Sequence, residues 1–139
     1  MAAEQDWNEN NRKVIDEFRR TGGKGSGGRG PLLLLTTRGA KSGLERVNPL
    51  MYSTDGDRFV VLASKGGAAA HPDWYHNLVA HPEVIVEVGA ERFSARATTA
   101  QGEERARLFN QHAAAMPYFA GFQKKTKRQI PVIILEQIR

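Results

Sequence analysis

The chain has 139 residues, 40% of them hydrophobic and 25% charged, enough for one core and too few for two. It contains no cysteine, which excludes disulfides, iron–sulfur clusters and thiolate chemistry and agrees with a reducing compartment. A net charge of +5 favours acidic partners, whether a polyanionic small molecule, nucleic acid or an anionic membrane surface, without choosing among them. No segment reaches the roughly 18 consecutive apolar residues of a membrane span, and MAAEQDWNEN lacks the order of a signal peptide, so the cytoplasm is the expected location.

Trp7, Val14, Ile15 and Phe18 recur at helical spacing, which predicts an amphipathic helix from Asp6, its cap, to about Arg20. Gly22 to Gly30 reads as a flexible basic linker, so residues 1–30 stand apart from a folded domain at 31–139. Leu32 to Leu35, a loop with Arg38, Lys41 and Arg46, and Val47 to Tyr52 predict a hairpin. Arg58–Ala63 is a third strand, and the segment around Pro72 and Asp73 opens a short helix that ends near His81. Glu83–Val88 and Glu91–Thr99 alternate as a second hairpin. Gln101 to about Ala115 predicts a helix with Ala106, Phe109, Ala113 and Met116 inward, followed by the basic run KKTKR and a last strand, Val132–Ile138. Six strands joined by tight turns predict a mainly β (α+β) fold, an antiparallel barrel with flanking helices.

Three stretches could bear chemistry. Arg38, Lys41 and Arg46 gather around one hairpin mouth, and Gly39 and Gly43 let the loop turn tightly, which suits an anion. A Walker-type phosphate loop is excluded, because Ala40 precedes Lys41 and no helix follows Ser42. Ser64, Lys65, Gly66 and Gly67, backed by Trp74 and Asn77, offer bare main chain to a flat ring. Tyr118, Phe119 and Phe122 bunch beside Gly121 as either a core plug or a lid. His71, His76 and His81 stand five apart and would not share a helix face, so no metal site is expected, and His112 reads as a half-buried helix residue. The carboxylates and hydroxyls form no acid/base or nucleophile set, so any reaction must come from a cofactor.

Taken in order, LLLLTTRGAKSGLERVNPL, ASKGG, HPDWYHNL and FQKKTKRQIPVIIL resemble the deazaflavin-dependent nitroreductase family, small split β-barrels that bind coenzyme F420. The likeness runs from Pro31 onward. It implies hydride transfer from the reduced coenzyme to a quinone-like, nitroaromatic or activated enone acceptor. It also implies that Arg38, Lys41, Ser42 and Arg46, with Asn48 and Pro49, hold the phosphate and acidic tail. Ala63, Ser64, Lys65, Gly66, Gly67, Trp74, Asn77 and Leu78 would cradle the ring, and Met116, Tyr118, Phe119 and Phe122 would meet the substrate. Ser64 and Tyr118 are the catalytic candidates.

This chain has Met116, Phe119 and Phe122 where nitroreducing relatives tend to place tyrosines, which favours quinones as acceptors. The alternatives are a flavin mononucleotide (FMN) protein on the same barrel, a deazaflavin carrier without turnover, and a nucleic-acid-binding barrel. The last is disfavoured because Tyr52, Phe59 and Phe93 alternate inward. The expected assembly is a monomer or homodimer, with a peripheral membrane contact through the N-terminal helix as the less favoured variant.

Overall fold

A computed structural model describes residues 2–23 and 31–138, with side chains in the first helix from residue 11 onward. The chain runs α1 (Ala2–Arg20), β1 (Leu32–Arg38), β2 (Glu45–Met51), β3 (Ser53–Asp55), β4 (Arg58–Leu62), a single 3₁₀ turn (Lys65–Gly67), α2 (Asp73–Ala80), β5 (Glu83–Val88), β6 (Glu91–Thr99), α3 (Gly102–Ala115), α4 (Tyr118–Lys124) and β7 (Val132–Gln137). All strand pairs are antiparallel, in one sheet of order β2-β1-β5-β6-β7-β4-β3. The edge strands β2 and β3 are consecutive in the chain, joined through Tyr52, whose N–H donates to the Pro31 carbonyl at 3.1 Å. One bend at Tyr52 thus takes the backbone from one edge of the curled sheet to the other, giving the expected split barrel with flanking helices. Seven strands appear instead of six, because this bend leaves Ser53–Asp55 free to pair with β4.

Alternation along the strands divides the apolar residues between two faces. Leu33 and Leu35, Val84 and Val86, Ala95 and Ala97, and Ile133 and Leu135 fill the interior with Trp74 and Leu78 of α2. Val60, Leu62, Val132 and Ile134 face the other way, under Leu108 of α3 and Phe119 of α4. The helix α3 presents a different face from the one expected. Ala106 is exposed, whereas Leu108, His112 and Met116 form the buried i, i+4, i+8 stripe. His112 is fully buried, not half-buried, because it packs edge to face on Phe119, with centroids 4.4 Å apart, and bonds Ser53 through Nδ1 at 2.8 Å. The segment holding the bunched aromatics is itself helical, as α4.

The first helix starts at Ala2, ahead of the expected Asp6; the side chains of Asp6 and Trp7, and linker residues 24–30, lie outside the described residues. Val14 is exposed and Phe18 is buried. The helix ends in a Schellman cap, with left-handed Gly22 and the Gly23 N–H returning to the Phe18 carbonyl at 2.7 Å. A Cβ at Gly23 would lie 2.5 Å from Cα of Gly89 in the β5–β6 turn, so only glycine allows this approach. Arg19 grips Glu87 of β5 with two bonds, of 3.2 and 2.9 Å. No helix of the described residues is long and apolar enough to cross a membrane, which says nothing of strands.

Burial pushes the His112 imidazole down to about 4 from its ordinary 6.5. The unfolded chain then binds the extra proton between those values, so His112 leaves stability intact above pH 6.5 and lowers it as pH falls toward 4, by roughly 3 kcal/mol in all. Urea midpoints between pH 7 and 4.5 are expected to fall in the native protein and to flatten in His112→Leu. Asp55, whose carboxyl is held at about 2 by hydrogen bonds from Arg107 and Arg58, acts only in a more acidic window.

Candidate coenzyme site

The β1–β2 loop is set by its own hydrogen bonds. Gly39 N–H donates to the Leu44 carbonyl at 2.8 Å, Gly43 N–H to the Gly39 carbonyl at 2.9 Å, and Leu44 N–H to Ser42 Oγ at 3.1 Å. Ser42, expected on the phosphate, therefore has an oxygen engaged within the loop. A Cβ at Gly39 would lie 2.4 Å from that Oγ, so a side chain there would turn the Ser42 hydroxyl out of its place in the loop. Asn77 ties the loop to α2: its Oδ1 accepts from Ala40 N–H at 3.0 Å and its Nδ2 donates to Thr37 Oγ1 at 3.1 Å. Asn77 is thus a positioning residue, with both amide groups in use.

Arg38, Lys41 and Arg46 are exposed and make no ion pair among the described residues. Thr37 pairs with Arg46 and Arg38 with Glu45, so alternation sends Arg46 to the Thr37 and Asn77 side and Arg38 to the opposite face. Asn48 opposite Leu35 shares the Arg46 face, and Pro49 opposite Leu34 does not. Arg46 thus stands on the α2 side of the hairpin and Arg38 on the opposite face, with Lys41 in the loop between the two strands.

The second stretch is a run of left-handed backbone: Lys65 has φ 47°, Gly66 64° and Gly67 85°. A non-glycine residue with positive φ is uncommon and costs energy unless its surroundings hold it. The holder is Arg128. Its Nε donates to the Ala68 carbonyl at 2.9 Å, Nη1 to the Ala63 carbonyl at 3.1 Å and Nη2 to the Ser64 carbonyl at 2.7 Å, while Nη1 also meets His71 Nδ1 at 2.8 Å. The two glycines have separate reasons to be glycine. A Cβ at Gly67 would lie 2.8 Å from the Phe122 carbonyl of α4, whereas one at Gly66 would meet nothing within 4 Å, so open surface lies over Gly66.

Trp74, Leu78 and Ala63 are buried together in the barrel interior, and Ser64, next to Ala63, is buried as well. Met116 and Phe119 belong to the core under α3 and α4, whereas Tyr118 and Phe122 are half-buried in mutual ring contact at 5.7 Å. Among the described residues no three His, Asp or Glu side chains could hold a metal. Two sets of residues escaped sequence reading. Arg128 was one cation among five residues of a basic run, with no pattern to single it out. The Ser53–His112 pair was legible only in part, through the Leu108–His112–Met116 spacing.

The exposed part of the left-handed glycine turn and the cations of the β1–β2 loop both adjoin the split barrel's short helix α2 in sequence or by hydrogen bond. Residues 10–137 match the family described as F420H(2)-dependent quinone reductase. The chain is 42% identical over 110 residues to F420H(2)-dependent quinone reductase Rv1261c of Mycobacterium tuberculosis, covering 76% of this chain and 72% of that one. A solved F420-H2 dependent reductase, FDR-A, superposes with a TM-score of 0.71 at 42% identity, over 76% of this chain and 94% of its own. A second solved structure, described as a domain-swapped dimer, gives 0.74 at 39% identity, over 96% of this chain and 99% of its own. The chain belongs to the F420H(2)-dependent quinone reductase family.

Lysine cannot reproduce the planar fork of Arg128. Arg128→Lys is expected to cost about 2–3 kcal/mol of stability, as charged hydrogen bonds to carbonyls are lost. Hydrogen exchange should quicken at Gly67 and Ala68, whose N–H groups bond Ser64 and Lys65, while β5 and β6 keep their protection.

Proposed function

We propose that this protein is an oxidoreductase that uses coenzyme F420 to reduce quinones, holding the coenzyme between the β1–β2 loop and the Ser64–Gly67 turn. The observation that supports it is the bare left-handed turn kept open by Arg128, together with a loop that carries the unpaired Lys41 and Arg46 and is tied to α2 by the Asn77 hydrogen bonds to Ala40 and Thr37. The residues present fit such a group: the space over Gly66 admits a flat ring, and the two cations suit a phosphate or carboxylate tail. Lys41 and Arg46 would bind the tail, helped by the free capacity of Ser42, and Ser64 to Gly67 would face the ring. Trp74, Asn77 and Leu78 would act from behind by fixing that surface. Phe122 and Tyr118 of α4 would exclude water. When bound, the reduced deazaflavin supplies a hydride pair and is poor at single-electron steps.

This reading displaces the FMN alternative, and the carrier alternative gives way to an enzyme because the relative of 42% identity is a named quinone reductase. Quinones suit the missing phenols, since their reduced oxygens can take protons from water. A homodimer is preferred over a monomer, because the relative that superposes over 96% of this chain is described as a domain-swapped dimer. The cytoplasm is the location that goes with a diffusible coenzyme.

Each charge-assisted contact to the tail contributes roughly 1.5–3 kcal/mol before screening. Lys41→Ala with Arg46→Ala is expected to weaken coenzyme binding at least ~10-fold at low salt, and Arg38→Ala alone to do much less. Quenching of oxidised F420 fluorescence measures both, and an unchanged dissociation constant in the double variant removes the anion site. Steady oxidation of the reduced coenzyme by menadione tests the activity; tight coenzyme binding with no turnover would restore the carrier.

A further inference from the structure

Between α4 and β7 lies the loop 125–131, whose Lys125, Lys127 and Gln129 are exposed and whose Arg128 holds the left-handed turn. Ile130 and Pro131 are buried and anchor only its far end. What fixes the Arg128 end is the half-buried Gln123 of α4. Its Nε2 donates to the Arg128 carbonyl at 2.8 Å, and its Oε1 accepts from Ile130 N–H at 2.9 Å and from Arg105 Nη2 at 3.4 Å. Arg105 of α3 closes the set by donating from Nη2 to the Ile130 carbonyl at 2.7 Å.

Only one orientation of this amide satisfies the network, because a carbonyl needs a donor and an N–H needs an acceptor. Gln123 therefore meets opposite demands at Arg128 and Ile130, which neither a carboxylate nor an apolar side chain can do. The Arg128 main chain in turn sets the origin of a guanidinium whose three nitrogens reach the Ala63, Ser64 and Ala68 carbonyls. The same helix also meets the turn directly, since a Cβ at Gly67 would lie 2.8 Å from the Phe122 carbonyl. Helix α4 thus reaches the turn twice, by contact at Gly67 and through Gln123 and Arg128.

We propose that Gln123 is a positioning residue for the ring surface: by holding the Arg128 main chain it sets the guanidinium that shapes the Ser64–Gly67 turn, so that α4, the 125–131 loop and the turn act as one unit. The inference rests on the proposed place of the coenzyme ring for its effect on binding, and on the hydrogen-bond network alone for its effect on the turn. The half of the amide that matters is the donor, Nε2, because it engages Arg128, whereas the acceptor half serves Ile130 and Arg105.

Gln123→Glu isolates that half. The carboxylate keeps an acceptor for Ile130 N–H and gains an ion pair with Arg105, yet has no hydrogen for the Arg128 carbonyl. The melting temperature is therefore expected to stay near native, while amide exchange at Gly67 and Ala68 quickens at least ~5-fold, the scale of one lost hydrogen bond, and that of β5 and β6 is unchanged. F420 affinity, read by fluorescence quenching, is expected to fall in the same proportion. Gln123→Met, close in shape and uncharged, should quicken the same two amides and so covers any disturbance of Arg105 by the new charge. In an Arg128→Lys background, where the fork is already lost, Gln123→Glu is expected to add little. Native exchange at Gly67 and Ala68 in both Gln123 variants overturns the proposal, as does an effect that adds in full to that of Arg128→Lys. If exchange quickens while F420 affinity stays native, Gln123 positions the turn and the ring lies elsewhere. If F420 affinity falls with exchange unchanged, the coenzyme reading stands and the positioning role falls.

Discussion

A single guanidinium fixes the surface on which the functional reading depends. Arg128, at the end of the basic run and four residues ahead of β7, spends its donors on the carbonyls of Ala63, Ser64 and Ala68. Burial pushes its pKa down, yet no carboxylate stands among its partners. The charge is instead balanced by carbonyl dipoles. Three consecutive residues can remain left-handed because this fork holds both ends of the turn, so main chain faces outward where a side chain would otherwise stand. The neighbouring constraint is steric: Gly67 accepts the Phe122 carbonyl against its α-carbon, which locks the turn to α4.

The barrel supplies the frame for that turn. Because β2 and β3 are the two edges and follow one another, the Tyr52 bend closes the sheet by covalent continuity where hydrogen bonds between edges do not. The same bend places Ser53, the docking point of His112. Helix α4 follows Met116 of the core under α3 and sets the Phe122 carbonyl against the glycine turn.

The hydrogen bonds of Asn77 connect the basic loop to α2. Both faces of its amide are committed, to Ala40 and to Thr37, so its contribution is to set where the basic loop lies relative to α2. Trp74 and Leu78, one turn apart on the same helix, anchor it in the interior. The charge proposed to recognise the coenzyme is exposed, on lysine and arginine, whereas the surface proposed to receive the ring is left-handed main chain held by hydrogen bonds.

Sequence alone determined the alternation of the strands, the two hairpins, the glycine turn after β4 and the proline-led start of α2. Each follows from local rules: a period of two, φ above zero, a missing N–H. The ordered segments around LLLLTTRGAKSG and HPDWYHNL also carried the family. What tertiary structure decided was which of several equivalent residues does the work. The register assigns Arg38 and Arg46 to opposite faces, a difference of one residue that composition cannot express. Arg128 was indistinguishable from its four basic or polar neighbours until β7 brought it under the Ser64 turn. His112 read as half-buried because its full burial depends on Phe119 and Ser53, 7 residues and 59 residues away in the chain, and contacts of that kind exist only once the sheet has closed.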